Sequence, residues 1–550
     1  MFENFSTQKR LIVAMVISAI FFVAYDYFFL PKKPIDNNTT TISQNAAPSV
    51  ENTSEAPQTS QTSPNLQSIS QNLVVIKAEN FIANIDEFGR ISKFELTQEK
   101  YKDENNQQIS LLNPQNAPLP LEVRFSDTAL NQKAFSVKYS ANLSELNLQN
   151  EQKDIVLTQN LDEVEIKKII SFKNDGSYDL KVEVSKSVDY FITPGIRPNI
   201  QADGYTVHGL MIRKFDDSLE IIEDGDSKGN EVFKDIDLLA NSDRYYTTLF
   251  YDKNRKMSVY VEKNAKDDVY SFVRSNQNLD IRGYIGPKDF KTISKINSDL
   301  SNSDFGFVDR VASWFKDKQE ATNPDLTDVI EYGWFTFIAK PVFAFLSFIY
   351  SYIGNWGWAI VVMTLVIRIV LYPLTYKGMV SMNKMKDLAP KMKEIQEKYK
   401  GDAQKINAHT MDLYRKTGVN PMGGCLPILI QIPIFFAIYR VLLNAIELKG
   451  AAWAFWVQDL AVKDPYFILP VLMGIAMFVQ QRITPTNFTD PMQEKIMKWL
   501  PVIFVFFFLG FPAGLTLYWF INNLCSLVQQ YAVNKVFQRQ KQNQIAEKQK

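Results

Sequence analysis

The chain has 550 residues, 46% hydrophobic and 22% charged, and 60 Lys+Arg balance 60 Asp+Glu. A length of this order suggests about three to four domains. The balance hides an asymmetry: residues 31–339 hold 35 basic and 47 acidic side chains, a net of −12, so the remainder holds 25 and 13, a net of +12. An acidic block beside a basic remainder points to two compartments. The two cysteines, Cys425 and Cys525, lie outside the acidic block, so no disulfide framework staples it. With only His208 and His409 and no Cys/His cluster, a zinc centre is not expected. A Walker-type ATPase is excluded because no GxxxxGK[ST] loop occurs. No metal and no cofactor is expected.

Lys9-Arg10 precede an apolar run, 11–30, broken only by Ser18 and Asp26. Twenty residues can cross a hydrocarbon core of ~30 Å. No A-x-A site follows, so 1–30 reads as an uncleaved signal anchor with a cytoplasmic N-terminus. Residues 31–72 read as a disordered linker, since 29 of those 42 are Pro, Asn, Thr, Ser or Gln. From 73 to 325 the pattern turns to short alternating runs, such as 164–172, 180–184, 257–261 and 269–273. Asn174-Asp175-Gly176 and Asp224-Gly225-Asp226 separate them. That spacing predicts an all-β sandwich or a pair of large twisted sheets.

Hydrophobic segments follow. Residues 330–352 are apolar and aromatic but carry Lys340-Pro341, and are expected as an amphipathic helix in the outer interface. Crossings are expected at 353–375, 422–443, 466–481, 497–510 and 513–533. The last two divide one apolar stretch, 499–533, whose ~52 Å as a helix is too long for one crossing. Gly510-Phe511-Pro512-Ala513-Gly514 supplies the turn. With the anchor this makes six crossings. The segments 1–10, 376–418, 481–498 and 534–550 then share one side and hold 2, 10, 3 and 5 Lys/Arg, against two in the opposite loop 444–465. The positive-inside pattern puts them in the cytoplasm, with 482–496 a loop and 534–550 a basic tail. Residues 31–330 then face the periplasm of a double-membraned bacterium, and the protein sits multi-pass in the inner membrane.

Arg368 is the most informative residue. It lies roughly 9 Å inside the cytoplasmic end of its helix, where an uncompensated cation costs ~2.5–3.5 kcal/mol on insertion scales. Two readings stand: the side chain snorkels to the headgroups, or it faces a hydrated cavity. Thr364, one turn earlier, with Gln431, Tyr518, Asn522 and Asn523, would line such a cavity. Singly, Gln431, Asn522 and Asn523 read first as interhelical hydrogen bonders. The last five crossings hold no carboxylate, whereas coupled transporters use them. A cavity with a cation and no counter-ion invites an anionic partner.

Residues 376–418 are expected as a cytoplasmic helical hairpin. Met379, Met382, Met385, Leu388, Met392, Ile395 and Tyr399 form one apolar stripe, broken at Gly401-Asp402. It either packs the hairpin on itself or offers an adaptable surface to clients or a partner. Phe435, Phe436, Phe506 and Phe507 mark aromatic stripes that either pack and face lipid or receive a client helix.

Several motifs resemble the YidC family of membrane protein insertases. They are Gly354-Asn355-Trp356-Gly357, Arg368 with Tyr372-Pro373-Leu374-Thr375, Val419-Asn420-Pro421-Met422-Gly423-Gly424-Cys425 and Gln431-Ile432-Pro433-Ile434-Phe435. Asp464-Pro465-Tyr466, Thr489-Asp490-Pro491-Met492-Gln493 and Pro512-Ala513-Gly514-Leu515 complete the set. The resemblance implies an α-helical polytopic membrane protein with a five-helix insertase core, a preceding anchor and an inserted periplasmic β-supersandwich. It implies a hydrophilic groove open to cytoplasm and lipid and closed outside, with Arg368 in it. Family contact positions fall on Thr364, Tyr518 and Trp519, where Trp519 replaces the expected aromatic hydroxyl. The slide falls on Phe435 and the region of Phe506 and Phe507. The implied work is inserting and folding integral membrane proteins without making or breaking a bond, so the protein is not an enzyme. Implied partners are nascent integral membrane proteins, Sec translocon components, membrane lipids and, through basic cytoplasmic segments, the ribosome and a targeting receptor. The rival readings are a secondary transporter, which predicts internal repeats, and a chaperone acting through the β-domain alone.

Overall fold

A computed structural model describes residues 72–548 except 103–106, 114–117, 199, 201–207, 215, 217, 253, 255, 302–324, 420–425 and 485–490. The expected anchor, the linker up to residue 71 and the Asn420–Cys425 motif lie outside the described residues. The chain divides into two compact units, one ending at Glu331 and the other beginning at Tyr332.

The first unit is built on alternation. Val164–Phe172 buries Val164, Ile166, Lys168, Ile170 and Phe172 and turns Glu165, Lys167, Ile169 and Ser171 outward, the period of two of a half-buried strand. It pairs antiparallel with Ser177–Val184. Between them Asp175 Oδ1 accepts from the Ser177 amide at 3.0 Å, and Gly176 takes φ +89°. A Cβ at Gly176 would stand 2.5 Å from the Ile285 carbonyl oxygen, so both the turn and the close approach require glycine.

Two sheets result. The smaller runs Ile91–Leu96, Phe81–Asp86, Asn72–Lys77, Glu145–Asn147, the last pair parallel. Among the described residues the larger has 13 strands. Its path is Val123–Phe125, Tyr190–Ile192, Val269–Ser275, Met257–Lys263, Glu231–Ser242, Tyr246–Tyr251, Leu279–Pro287, Ser177–Val184, Val164–Phe172, Ile155–Leu161, Ser140–Ala141. Gly209–Lys214 and Leu219–Glu223 are attached beside Glu231–Ser242. Phe81 of the small sheet stacks on Phe94 at 4.5 Å and meets Phe172 of the large sheet at 6.3 Å, which joins the two in one apolar core. Helix α1 (Thr128–Ala134) starts at Asp127, whose side chain accepts from the Leu130 amide. Helix α2 (Phe290–Ser301) follows the last strand. The single turn Leu326–Val329 closes the unit, with Asn297 Nδ2 donating to Asp325 Oδ1 at 2.8 Å.

Lys168 falls on the buried face of its strand and has no access to solvent. Its Nζ donates to the carbonyls of Gly89 (2.9 Å) and Leu121 (2.7 Å) and lies 4.5 Å above the Tyr139 ring. Beside it runs a buried ion network: Arg90 pairs with Asp86 at 2.8 Å and Glu122 at 3.3 Å, and Arg124 pairs with Glu122 at 2.9 Å. Burial pushes the Lys168 ammonium down to about 7.

The second unit is helical. Its first helices are α3 (Thr336–Ile353), α4 (Trp356–Val370), α5 (Tyr372–Asp387), α6 (Ala389–Lys398) and α7 (Ala403–Thr417). Then come α8 (Leu426–Asn444), α9 (Ile468–Ile483), α10 (Pro491–Phe508) and α11 (Ala513–Lys548). Gly354, left-handed at φ +69°, ends α3, and the Asn355 side chain caps α4 by accepting from the Trp358 amide at 3.0 Å. Between α4 and α5 the axis bends by 64° at Leu371, where Pro373 in the next turn cannot donate into a continuous ladder.

Several boundaries differ from the sequence reading. The hairpin region holds three helices, because Leu388 closes α5 and Pro390 sits in the first turn of α6. The expected loop 482–496 is already helical from Pro491, a residue suited to a first helical turn. Past residue 533 the last helix runs on through the basic tail to Lys548, with no Gly or Pro to stop it. Its 36 residues span about 54 Å. Among the described residues α3 alone is a single helix long and apolar enough to cross a membrane; α4 with α5 passes as a bent pair. Gln431–Asn444, Ile468–Ile483 and Met497–Phe508 are shorter apolar helices.

Candidate functional site

Arg368 sits in the last turn of α4 with 6% of its surface exposed. Its Nε donates to Asn522 Oδ1 at 2.7 Å and its Nη2 to the Asn522 backbone oxygen at 3.1 Å. Gln431 Nε2 donates to the same Oδ1 at 3.3 Å. So α4, α8 and α11 meet at one polar node. Among the described residues no carboxylate lies within ion-pair distance of Arg368. Thr364, one turn earlier, is buried, but its hydroxyl donates to the Ile360 carbonyl at 2.7 Å within its own helix. Tyr518 is buried one turn before Asn522. Asn523 donates back to the Trp519 carbonyl at 2.9 Å, inside α11.

Trp519 stands apart from this node. Its ring meets Phe435 edge-on at 4.4 Å and lies 5.5 Å from Phe508 and 6.0 Å from Phe504. Its indole N–H is buried without an acceptor among the described residues, so the contact it offers is apolar. The four slide candidates divide by burial. Phe436 is core, stacked on Phe335 at 6.0 Å. Phe435 is half-buried against Trp519. Phe506 and Phe507 are 70% and 55% exposed. Met379, Met382, Met385 and Met392 are all half-buried. Met392 packs the hairpin on itself, its sulfur accepting from the Tyr414 hydroxyl at 3.2 Å, while Met411 on α7 is exposed.

Three features escaped the sequence reading. Gln529 Nε2 donates to the Arg368 carbonyl at 3.4 Å. The spacing 522–526–529 on one helix face was the signal for it. Arg440 is another buried cation within the helical unit, 4% exposed on α8. The third is the folded loop between α8 and α9. Asn355 Nδ2 donates to the carbonyls of Ala452 and Trp453, each at 3.1 Å. A Cβ at Gly357 would stand 2.2 Å from the Trp453 ring. At the other helix start, the first-turn amides of Ala513 and Gly514 donate to Val462 O (2.7 Å) and Leu460 O (2.9 Å). Those donors have no partner inside the helix, so the loop carbonyls serve as its cap. Asp464 locks the loop by accepting from Trp456 Nε1 (3.0 Å) and the Leu469 amide (2.7 Å). The loop therefore sits across the starts of α4 and α11.

Comparison with known proteins bears on this arrangement of helices and β-domain. The model of the 60Kd inner membrane protein family matches residues 348–542, and that of the YidC periplasmic domain matches 240–345. A membrane protein insertase YidC of Campylobacter jejuni is 51% identical over 98% of this chain and 98% of its own length. The chain belongs to the YidC membrane protein insertase family. Proteins of the same name from Wolinella succinogenes (46%) and Helicobacter pylori (42%) match it over 98% of this chain and 97% of theirs. The family fold is a β-sandwich periplasmic domain with a helical core, and both parts are present here. Trp519 and the loop 445–467 can now be read as local features of a YidC-type core.

Proposed function

We propose that this chain is a membrane protein insertase of the inner membrane, and that Arg368 is the cation of a hydrated groove used by its clients. The observation that carries the reading is the buried Arg368 held by neutral oxygens of Asn522. A guanidinium so placed keeps its charge and attracts acidic residues of a client's external tail across a medium of low dielectric. Gln431, Asn522, Thr364 and Tyr518 line the groove with Arg368. The client's apolar helix leaves along Phe435, Trp519, Phe506 and Phe507, and its partition into lipid supplies the driving force. Insertion breaks no covalent bond, so the protein works as an insertase and chaperone rather than an enzyme.

Six crossings are proposed: the anchor, α4 with the start of α5, α8, α9, α10 and the first part of α11. Helix α3 lies in the outer interface. A seventh crossing there would place the hairpin's ten Lys/Arg outside, against the positive-inside rule. Folded across the outer helix ends, the loop 445–467 closes the groove to the periplasm. Nearly half of α11 projects into the cytoplasm beside the hairpin, where Lys541 pairs with Asp387 at 2.8 Å. These basic helices suit lipid headgroups, a ribosome and a targeting receptor, and Sec translocon components are the proposed membrane partners.

The test is insertion of a single-span client with an acidic external tail into liposomes that hold only this purified chain, scored by protease protection. Wild type is expected to insert it and Arg368→Ala to lose about tenfold, the value of one charge-assisted contact. Equal insertion by both would remove Arg368 from the mechanism. No insertion by folded wild type would overturn the insertase reading.

A further inference from the structure

We infer that Asn522 is the positioning residue that holds Arg368 aimed yet un-neutralised, and so sets the preference for acidic over neutral client tails; this rests on the insertase reading above. Arginine carries five N–H donors in a rigid fork that matches a carboxylate bidentately. Here the fork meets two oxygens of one asparagine, Oδ1 at 2.7 Å and the backbone carbonyl at 3.1 Å. The grip has the two-point geometry of a carboxylate pair without its charge.

The asparagine's orientation is set by its neighbours. Arg368 can only donate, and the Gln431 amide also donates to Oδ1. Turning the Asn522 side chain over would set its NH2 group against the guanidinium. The backbone carbonyl is held too, since Ser526 Oγ donates to it at 3.0 Å. On the other side of the node Gln529 Nε2 reaches the Arg368 carbonyl at 3.4 Å. Among the described residues every group holding Arg368 is neutral. Its Nη1 makes no hydrogen bond among the described residues, which leaves one arm of the fork for an incoming carboxylate. An aspartate at 522 would fit the same space, complete an ion pair and cancel the charge that a client's tail would meet.

The experiment measures a ratio, which cancels losses in folding or reconstitution. Proteoliposomes holding wild type, Asn522→Asp, Asn522→Gln or Arg368→Ala are given two clients that differ only in an acidic or a neutral external tail. Wild type should insert the acidic-tail client the better of the two. Asn522→Asp should lower the acidic-to-neutral ratio about tenfold, to the level of Arg368→Ala. Asn522→Gln, which keeps a neutral amide oxygen, should restore most of the ratio. A wild-type ratio in Asn522→Asp overturns the inference. So does a ratio near one in wild type that still inserts both clients, which leaves the insertase reading standing. Failure of wild type to insert either client overturns that reading as well.

Discussion

Two buried arginines show how this chain treats charge in its two units. Arg90, in the β-unit, is shut away with Asp86 and Glu122, and Arg124 extends the network. Arg368, in the helical unit, is nearly as well buried but among the described residues meets only amide and carbonyl oxygens. A buried pair cancels its own field and serves structure. A buried cation with neutral ligands keeps its field and pays in desolvation for availability.

The largest effect should come from breaking the closed network. Arg90→Met leaves Asp86 and Glu122 short of a buried counter-charge and should destabilise the β-unit by ~3–5 kcal/mol. Thermal unfolding of the full chain in detergent, followed by limited proteolysis of the β-unit, would read it. A change below about 1 kcal/mol would mean that the network is not a closed, compensated one.

Comparable in total, but spread over several pH units, is a pH effect at Lys168. Its folded-state value of about 7 lies below the ordinary 10.5, so above pH 7 the unfolded chain holds the extra proton. The β-unit should therefore gain stability as pH rises from about 7 toward 10.5, by at most ~1.4 kcal/mol per pH unit, and be insensitive to this group below 7. Lys168→Met should flatten that slope; a slope equal to wild type would assign it to another group. The smallest effect sharpens the contrast. Arg368→Met should shift the stability of the helical unit by less than ~1 kcal/mol, because it strands no charge and Gln431 still donates to Asn522. A loss as large as that at Arg90 would make Arg368 a structural residue.

Much of the fold was legible along the chain because it rests on local rules. The alternation of Val164–Phe172 marks that strand at the bounds it has in three dimensions. Asn174-Asp175-Gly176 announces its turn, and Gly510 to Gly514 announces the break between α10 and α11. The bend at Leu371 was less visible, since Pro373 alone does not say whether a helix stops or turns. Of the candidate site, Arg368 stood out by its charge in an apolar run. Its partner did not, since Gln431, Asn522 and Asn523 carried equal weight by residue type.

Sequence by itself determined the division into an acidic and a basic part, the β and helical periodicities, the family and Arg368 as a cation within an apolar run. These follow from residue chemistry and spacings of two, three and four, which act between neighbours. Only the tertiary structure decided that Asn522 rather than Asn523 holds Arg368, that Trp519 joins the phenylalanines, and that Lys168 lies against the Asp86–Arg90–Glu122 network. The same holds for the loop 445–467 across two helix starts. Each of these joins residues tens to more than a hundred positions apart, and the physical reason is packing: which helix face or strand edge meets which neighbour sets the partner, and no local periodicity encodes that meeting.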